Sequence, residues 1–506
     1  MYVRKKQNKS GSISIQIIDK SKGQYKVVKT FGSSKEAAKI DYLLRKAHAM
    51  IPDLIGQTTL NYQTDNDNKI SQYMTNTDSL QIRVIGPELI LGSLFDSIGF
   101  KRIKDKLFRH LVITRLVYPG SKLKTIDYLK RYRGIELPKD DIYRFLDRLD
   151  RKYKSEVEQI SFKYSKKVLG NKISIVFYDM TTIYFESEDE DDLRKTGFSK
   201  DGKHQNPQIY LGLLVGLNGY PIGYEIFEGN IYEGHTLIPV LTAFEKKFDL
   251  SKPIVIADAG LLSNNNIKKL TEAGYTYILG GRVKNESNDI KGAILKLQLK
   301  DKELAEVKKD KRTRLIVSYT EKRAKKDRYN RERGLKRLED KINKGKLSKS
   351  HINNRGYNKY LKLSGNIEIK IDYEKFEADN CWDGLKGYIT NSKLTPEQVI
   401  ENYQYLWHIE KAFRISKTDL RIRPIYHRLK ERIQAHISIS FTAYTIYKEL
   451  ERVLKNHKVA FSARRAIELT QTIYALDYKL PDSEKLYSKI IGLTDEQKVL
   501  MKIFNL

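Results

Sequence analysis

The chain has 506 residues, 40% of them hydrophobic, and its 94 Lys and Arg against 63 Asp and Glu give a formal net charge of +31. That length exceeds a usual single domain, so about two to four domains with at least one sizeable core are expected. The charge points to a polyanion, nucleic acid being the commonest, against the plainer alternative of a lysine-rich solvated surface, while the single cysteine, Cys381, excludes an intramolecular disulfide framework and a cysteine-based zinc site.

The start, "MYVRKKQNKSGSISIQII", is basic but lacks the continuous apolar core of a signal peptide. Residues 11–31 alternate as short strands, and Ser33 or Ser34 is placed to cap a helix through "KEAAKIDYLLRKAHAMI". Residues 1–60 therefore read as a small α/β segment, followed by a polar linker, "GQTTLNYQTDNDNKISQ". Residues 61–170 read as mainly helical and very basic, a candidate DNA-binding region. Within it "SKLKTIDYLKRY" and "DDIYRFLDRLDRKYK" suit two helices joined by a short turn. A DNA-reading helix-turn-helix and an ordinary amphipathic pair both remain open.

From Ile173 the pattern turns to strands. "IVFYDMTTIYFE" is rich in β-branched and aromatic residues, and as a strand it sets Asp179 on one face with Ile175, Phe177, Thr181 and Ile183. "QIYLGLLVGLNGYPIGYEIFEGN" reads as two apolar strands around an "NGYP" turn. Its Gly, Asn and Pro also interrupt the longest apolar stretch, so no transmembrane helix is expected. The helix "TLIPVLTAFEKKFD" leads to a buried strand ending at Asp258, "KPIVIADAGLLS", and then to another helix. Strands, a helix and a further strand imply a mixed sheet covered by helices. Residues 286–395 break this rhythm with strand candidates around a Lys- and Arg-rich block, a solvated helix face, a mobile loop or a phosphate-binding surface. "PEQVIENYQYLWHIEKAFRISKTDL" reads as one long helix, and residues 461–506 as a helical tail.

A carboxylate inside an apolar strand is costly unless compensated. Asp179 and Asp258 both fall where strands of one sheet can converge. Two close aspartates stay ionised together only with a cation between them, and an all-oxygen donor set suits Mg²⁺ or Mn²⁺. Two such ions about 4 Å apart hold the attacking and leaving oxygens of an in-line phosphoryl displacement. The bland alternative is a solvent-facing Asp179 on an edge strand. On the later helix Tyr403, Glu410 and Lys417 are spaced by seven, one stripe beside the apolar Leu406, Ile409 and Phe413. Ordinary helix surfaces also produce that spacing. Trp407 suits either base stacking or core packing. The acidic run "ESEDEDD" reads as an exposed loop.

Together, "YDMTTIYFE", "GFSKDGKHQNPQIYLGLLVGLNGYPIGYEIFEGNIYEGHTL", "IVIADAGLLS", "YLWHIEKAFRISKTDLRIRPIYH" and "IQAHISISFTAY" resemble, in order and spacing, a DDE transposase of bacterial insertion sequences. The likeness is to the insertion sequence 1634 type, a relative of the insertion sequence family four, and spans most of the chain. It implies a ribonuclease-H-like mixed sheet with flanking helices in residues 171–285 and 396–460. It also implies a β-rich insertion between the second Asp and the Glu, and a helical N-terminal DNA-binding region. By the resemblance Asp179, Asp258 and Glu410 form the catalytic, metal-binding triad for two Mg²⁺ or Mn²⁺ ions. Tyr403, Glu410 and Lys417 match three members of a Y-R-E-K signature whose arginine place is Leu406, which shifts that DNA contact to a neighbour such as Arg414 or His408. Tyr403, Lys417, Arg414, Lys200 and Trp407 are the expected DNA-binding residues. The implied activity is metal-dependent cleavage and strand transfer at the ends of an insertion sequence, on terminal inverted repeats and target DNA, by a homodimer. A ribonuclease-H-like nuclease without joining and a non-catalytic DNA binder are the alternatives. The implied location is cytoplasmic, at the nucleoid.

Overall fold

The computed structural model describes residues 1–21, 23–56, 80–248, 251–261, 263–354, 356–364, 368–479 and 485–506. The polar linker expected near residues 56–72 lies almost wholly outside the described residues. The chain divides into two compact units, residues 1–81 with 478–487, and 82–477 with 488–506.

In the first unit, strands β1 (Tyr2–Gln7), β2 (Ile13–Asp19) and β3 (Lys26–Ser34) form an antiparallel meander. The helix Ala37–Leu54 covers it, and Ile15, Ile17, Ile40 and Ala47 make the shared core. The helix is capped later than its sequence suggests. Glu36 is the N-cap, and Ser34 ends the strand while its Oγ accepts from the Glu36 amide at 3.1 Å. The hydroxyl closes the turn before the helix rather than the helix itself.

The second unit starts within strand β4 (Leu80–Val84) and continues with the helices Gly86–Ile98, Lys106–Val117, Lys122–Arg133, Lys139–Arg148 and Lys154–Val168. Gly134, at φ 64°, ends the third, and a five-residue connection leads to the fourth. Such a left-handed terminus favours glycine, which has no Cβ to clash. These helices surround Lys430–Asn456, which is buried around its whole circumference from Ala435 to Leu450 and so acts as the axis of the helical core.

Beside it stands an eight-stranded mixed sheet in the order β10-β11-β14-β9-β8-β5-β6-β7. The strands are β5 (Ile175–Tyr184), β6 (Gln208–Val215), β7 (Pro221–Glu228), β8 (Ile254–Ala257), β9 (Thr276–Gly281), β10 (Leu304–Lys308), β11 (Arg314–Tyr319) and β14 (Leu385–Thr390). β5, β6 and β7 are antiparallel, β8 and β9 run parallel to β5, and β14, β11 and β10 continue the far edge antiparallel. The turn between β6 and β7 has Asn218 and Gly219 both at positive φ, 57° and 75°, the conformation that Asn-Gly accepts in tight hairpins.

Both faces of this sheet are buried, which explains strands that are nearly all apolar. Phe177, Ile183, Leu211, Leu213, Ile256 and Ile278 pack toward Trp407–Thr418 and Lys430–Asn456; Val176, Tyr178, Met180, Leu214, Val255 and Leu279 pack toward Leu237–Phe248 and Asn264–Glu272. The mixed sheet with flanking helices expected from the sequence is present.

The stretch between β9 and β14 carries two strands of that sheet, the hairpin β12 (Leu361–Ser364) and β13 (Glu368–Ile371), and a small core of Leu338, Tyr360, Leu361, Ile371 and Phe376. Its basic block is the 23-residue helix Glu321–Asn343, the longest element there. The single long helix expected over 396–420 is two helices, Pro396–Gln404 and Trp407–Thr418. Between them Leu406, His408 and Ile409 donate to carbonyls three residues back, a tighter turn that buries Leu406 to 8% exposure while Trp407 swings outward. The final strands are β15 (Tyr474–Lys479) and β16 (Leu486–Ile491), followed by the helix Asp495–Ile503. Among the described residues no helix is long and apolar enough to cross a membrane.

Candidate active site

Parallel pairing of β5 with β8 places Tyr178 opposite Ala257, so the next residues of the two strands' segments, Asp179 and Asp258, leave the paired region side by side. Both strands are held by buried aliphatic neighbours, which fixes that register. Asp179 Oδ1 accepts from the Met180 amide at 2.7 Å. Asp258 Oδ1 accepts from the amides of Gly260 at 2.8 Å and Leu261 at 3.3 Å, an Asx turn that starts the exit from β8. A Cβ on Gly260 would lie 3.0 Å from that carboxylate oxygen, so glycine permits the turn to close.

The environment of Asp179 is cationic on one side and acidic on the other. Lys200 Nζ lies 3.6 Å from Asp179, 2.7 Å from Glu233 Oε1, and donates to the Met180 carbonyl at 2.6 Å. Burial pushes the Asp179 carboxyl up to about 6; Lys200 and the Met180 amide oppose the rise, and Asp258 and Glu233 add to it. For Lys200 burial works against its charge, but Asp179 and Glu233 outweigh it and raise its pKa. Asp179, Lys200, Glu233 and Asp258 thus form one electrostatic group.

Tyr403, at the end of Pro396–Gln404, lies over the same edge. A Cβ on Gly280 of β9 would stand 2.5 Å from the Tyr403 hydroxyl and 3.0 Å from the Ala259 amide nitrogen, so the tyrosine occupies the space glycine leaves. Its ring meets Tyr388 edge-on at 5.0 Å, with Lys386 Nζ 4.6 Å from its centroid. Burial first, then Asp258, Tyr388 and Glu410, keep its phenol protonated.

Glu410 is exposed in the first turn of Trp407–Thr418, the helix packed on the Phe177 face of β5. Its charge acts on both Tyr403 and Lys386. One turn of helix after the break, Ile409, Ala412 and Phe413 anchor this helix in the core and leave Glu410 outward. Among the described residues no group of three or more His, Cys, Asp or Glu is gathered closely enough to hold a metal ion. The donors present are carboxylate oxygens, the ligand type for hard divalent cations.

The other sequence-derived candidates have varied surroundings. Lys417 is not free: it pairs with Asp201 at 3.2 Å, as Arg423 does at 2.6 Å, and burial lowers its pKa. The helix break separates Tyr403 from the continuous stripe that its spacing with Glu410 and Lys417 suggests. Arg414 is exposed, and Trp407, 49% exposed, lies against His408 rather than in the core. Leu406 is buried and cannot stand in for an arginine at the surface. Glu233 and Lys386 were not singled out by the sequence. Glu233 sits in "EGHTL", where only its chain position near the strands signals it, and Lys386 joins the site by long-range pairing of β14 with β9.

Among solved structures, the cryo-EM structure of a piggyBac transposase synaptic complex with hairpin DNA is similar to this chain at 10% sequence identity and a TM-score of 0.38 over 76% of each chain. No curated protein matches the chain. Residues 170–446, more than half of the chain and including Asp179, Asp258 and Glu410, match the family model for a transposase DDE domain. The chain belongs to the family of transposase DDE-domain proteins.

Proposed function

We propose that this protein is a transposase that cuts DNA at the ends of an insertion sequence of the 1634 type and joins the freed 3′ ends to target DNA. Asp179, Asp258 and Glu410 are its catalytic carboxylates. The observation that carries the reading is the parallel β5–β8 register, which sets two aspartates side by side inside a transposase DDE domain. The order β7-β6-β5-β8-β9, with three antiparallel strands and then two parallel ones, supports a ribonuclease-H-like catalytic domain interrupted by the segment between β9 and β14. The helices before β5 and the net charge of +31 support a DNA-binding role for the preceding region. A homodimer that pairs the two element ends is part of this reading.

Asp179 and Asp258 fit a divalent cation by donor type and by adjacency, with Glu410 completing the set. Two Mg²⁺ or Mn²⁺ ions, when bound, would supply charge neutralisation and a more acidic water or hydroxyl at the phosphate. The protein's own share is positioning. Lys200 offsets the charge of Asp179 and Glu233, Tyr403 holds its hydroxyl beside Asp258, and Lys386 lies within the field of Glu410. A phosphodiester approaching this edge meets carboxylates flanked by ammonium groups, a field suited to developing negative charge on phosphate oxygens.

The test is a cleavage and joining assay with DNA bearing the element's ends, a supercoiled target, and Mg²⁺ or Mn²⁺, comparing wild type with Glu410→Gln. Joined products from wild type alone support the reading. Cut but unjoined ends identify a nuclease, and end binding without cutting under either metal identifies a non-catalytic DNA binder.

A further inference from the structure

A second cationic site lies away from the carboxylates. Between the loop that follows Lys106–Val117, the first turn of Lys122–Arg133 and the segment 421–427 is a cavity of about 560 Å³. Arg115, Lys122, Lys124, Arg421, Arg423 and His427 line it, and among the described residues no carboxylate does.

The burial of these groups is unusual. Lys122 is 6% exposed and has no hydrogen-bond or ion-pair partner among the described residues. Arg115 is 4% exposed, and among the described residues its guanidinium donates only to the carbonyls of Leu420 and Arg421, both at a long 3.5 Å. Two buried cations beside each other repel, and an unpaired buried charge is strongly disfavoured. Burial, with repulsion by Arg115 added, lowers the pKa of Lys122 well below its ordinary value, and burial brings Arg115 down to about 10. An anion in the cavity removes that conflict.

Two backbone features aim at the same space. Ser121 caps Lys122–Arg133 by accepting from the Lys124 amide at 3.3 Å, so the positive end of a twelve-residue helix opens on the cavity. Arg421 is held at φ 44°, a left-handed conformation that a non-glycine residue adopts at a cost. On the other side, Arg423 pairs with Asp201, whose neighbour Lys200 lies against Asp179. The cavity therefore adjoins the carboxylate site through the chain of Arg423, Asp201 and Lys200.

We propose that this cavity is a phosphate pocket, with Lys122 and Arg115 at its base and Arg421 at its mouth, that takes one backbone phosphate of DNA engaged at the neighbouring carboxylates. The choice of DNA over a free phosphate rests on the transposase reading; the pocket itself does not.

The experiment compares wild type with Lys122→Met and Arg421→Gly. Lys122→Met removes an unpaired buried charge at nearly constant shape. Arg421→Gly relieves a left-handed residue, so it keeps the protein folded should the first variant fail to fold. One arm measures thermal stabilisation by inorganic phosphate against chloride at equal ionic strength. The other measures binding to end-bearing DNA across a salt series. Phosphate stabilises wild type and not the variants, DNA binding weakens about tenfold in the variants, and the slope against log salt falls by about one. Stabilisation by phosphate with unchanged DNA binding overturns the DNA assignment and leaves a small-anion site. No response of wild type to phosphate, with unchanged DNA binding in both variants, overturns the pocket and marks Lys122 as a neutral structural lysine. If the variants behave as stated but wild type neither cuts nor joins DNA, the transposase reading fails while the pocket stands.

Discussion

Lys200 holds its ammonium 3.6 Å from Asp179 and 2.7 Å from Glu233, so the proposed catalytic aspartate has a protein cation as neighbour. That arrangement makes the charge of Asp179 tolerable before any divalent ion arrives. It also separates two roles that sequence alone merges: Lys200 as a phosphate contact and Lys200 as a counter-ion.

Asp179→Asn, Asp258→Asn and Glu410→Gln are each expected to lower strand cleavage by at least about a thousandfold, as loss of a transition-state group does. Binding to the element's ends is expected to stay within about threefold of wild type. Cleavage is followed on end-bearing DNA under Mg²⁺ and Mn²⁺, and binding by gel shift. A variant that cuts at near wild-type rate removes its residue from the site.

Asp201 is shared by Lys417 and Arg423, and the Lys417 and Asp201 side chains are only 13% and 15% exposed. Removing the acid leaves two cations without it, whereas Lys417→Met leaves Asp201 paired with Arg423. Asp201→Asn is therefore expected to destabilise by about 3–5 kcal/mol and Lys417→Met by about 1–2 kcal/mol. Urea unfolding of the two variants decides the order. Equal losses would show that the three groups do not act as one network.

Gly280 gives Tyr403 its place, since a Cβ would stand 2.5 Å from the hydroxyl. Gly280→Ala is expected to cost about 1–3 kcal/mol through overpacking and to lower cleavage about tenfold or more by moving Tyr403 off the site. Tyr403→Phe in the same chain removes the clashing oxygen and should recover part of the stability. A double-mutant cycle on the unfolding midpoint measures that coupling, and additive losses would contradict the contact.

Burial holds His427 down to about 3, with Lys122, Arg432 and Arg115 adding to the fall and Asp147 opposing it. Its ring faces Tyr143 and His436, and His436 is itself held well below the ordinary value by burial, Arg115 and Lys122. The unfolded chain takes up these protons as pH falls through about 6.5, while the folded chain resists until far lower. The stability from neutral His427 is complete above about pH 6.5 and is lost progressively toward pH 3. In chloride buffer, melting temperature is expected to fall between pH 7.5 and 5, and less steeply in His427→Gln. Parallel slopes would remove His427 as a source of the dependence.

The family match covers residues 170–446, and the strands that bear the two aspartates were legible from local pattern. β5 and β8 are continuous apolar runs because both faces of the sheet are buried, and such runs show in any window of the chain. The Asn218–Gly219 turn was equally local, since positive φ at both positions selects those residue types. Other features depended on distant partners. The break at Tyr405 and Leu406 follows from burial of Leu406 in a core built by helices far along the chain, which helical periodicity could not anticipate. The pairing of Lys417 with Asp201 and the approach of Lys200 to Glu233 each join residues that no spacing rule connects. A sequence window reports propensity and periodicity, which are properties of neighbours; where a charge is neutralised or stranded depends on which distant groups the packed core brings within a few ångströms of it.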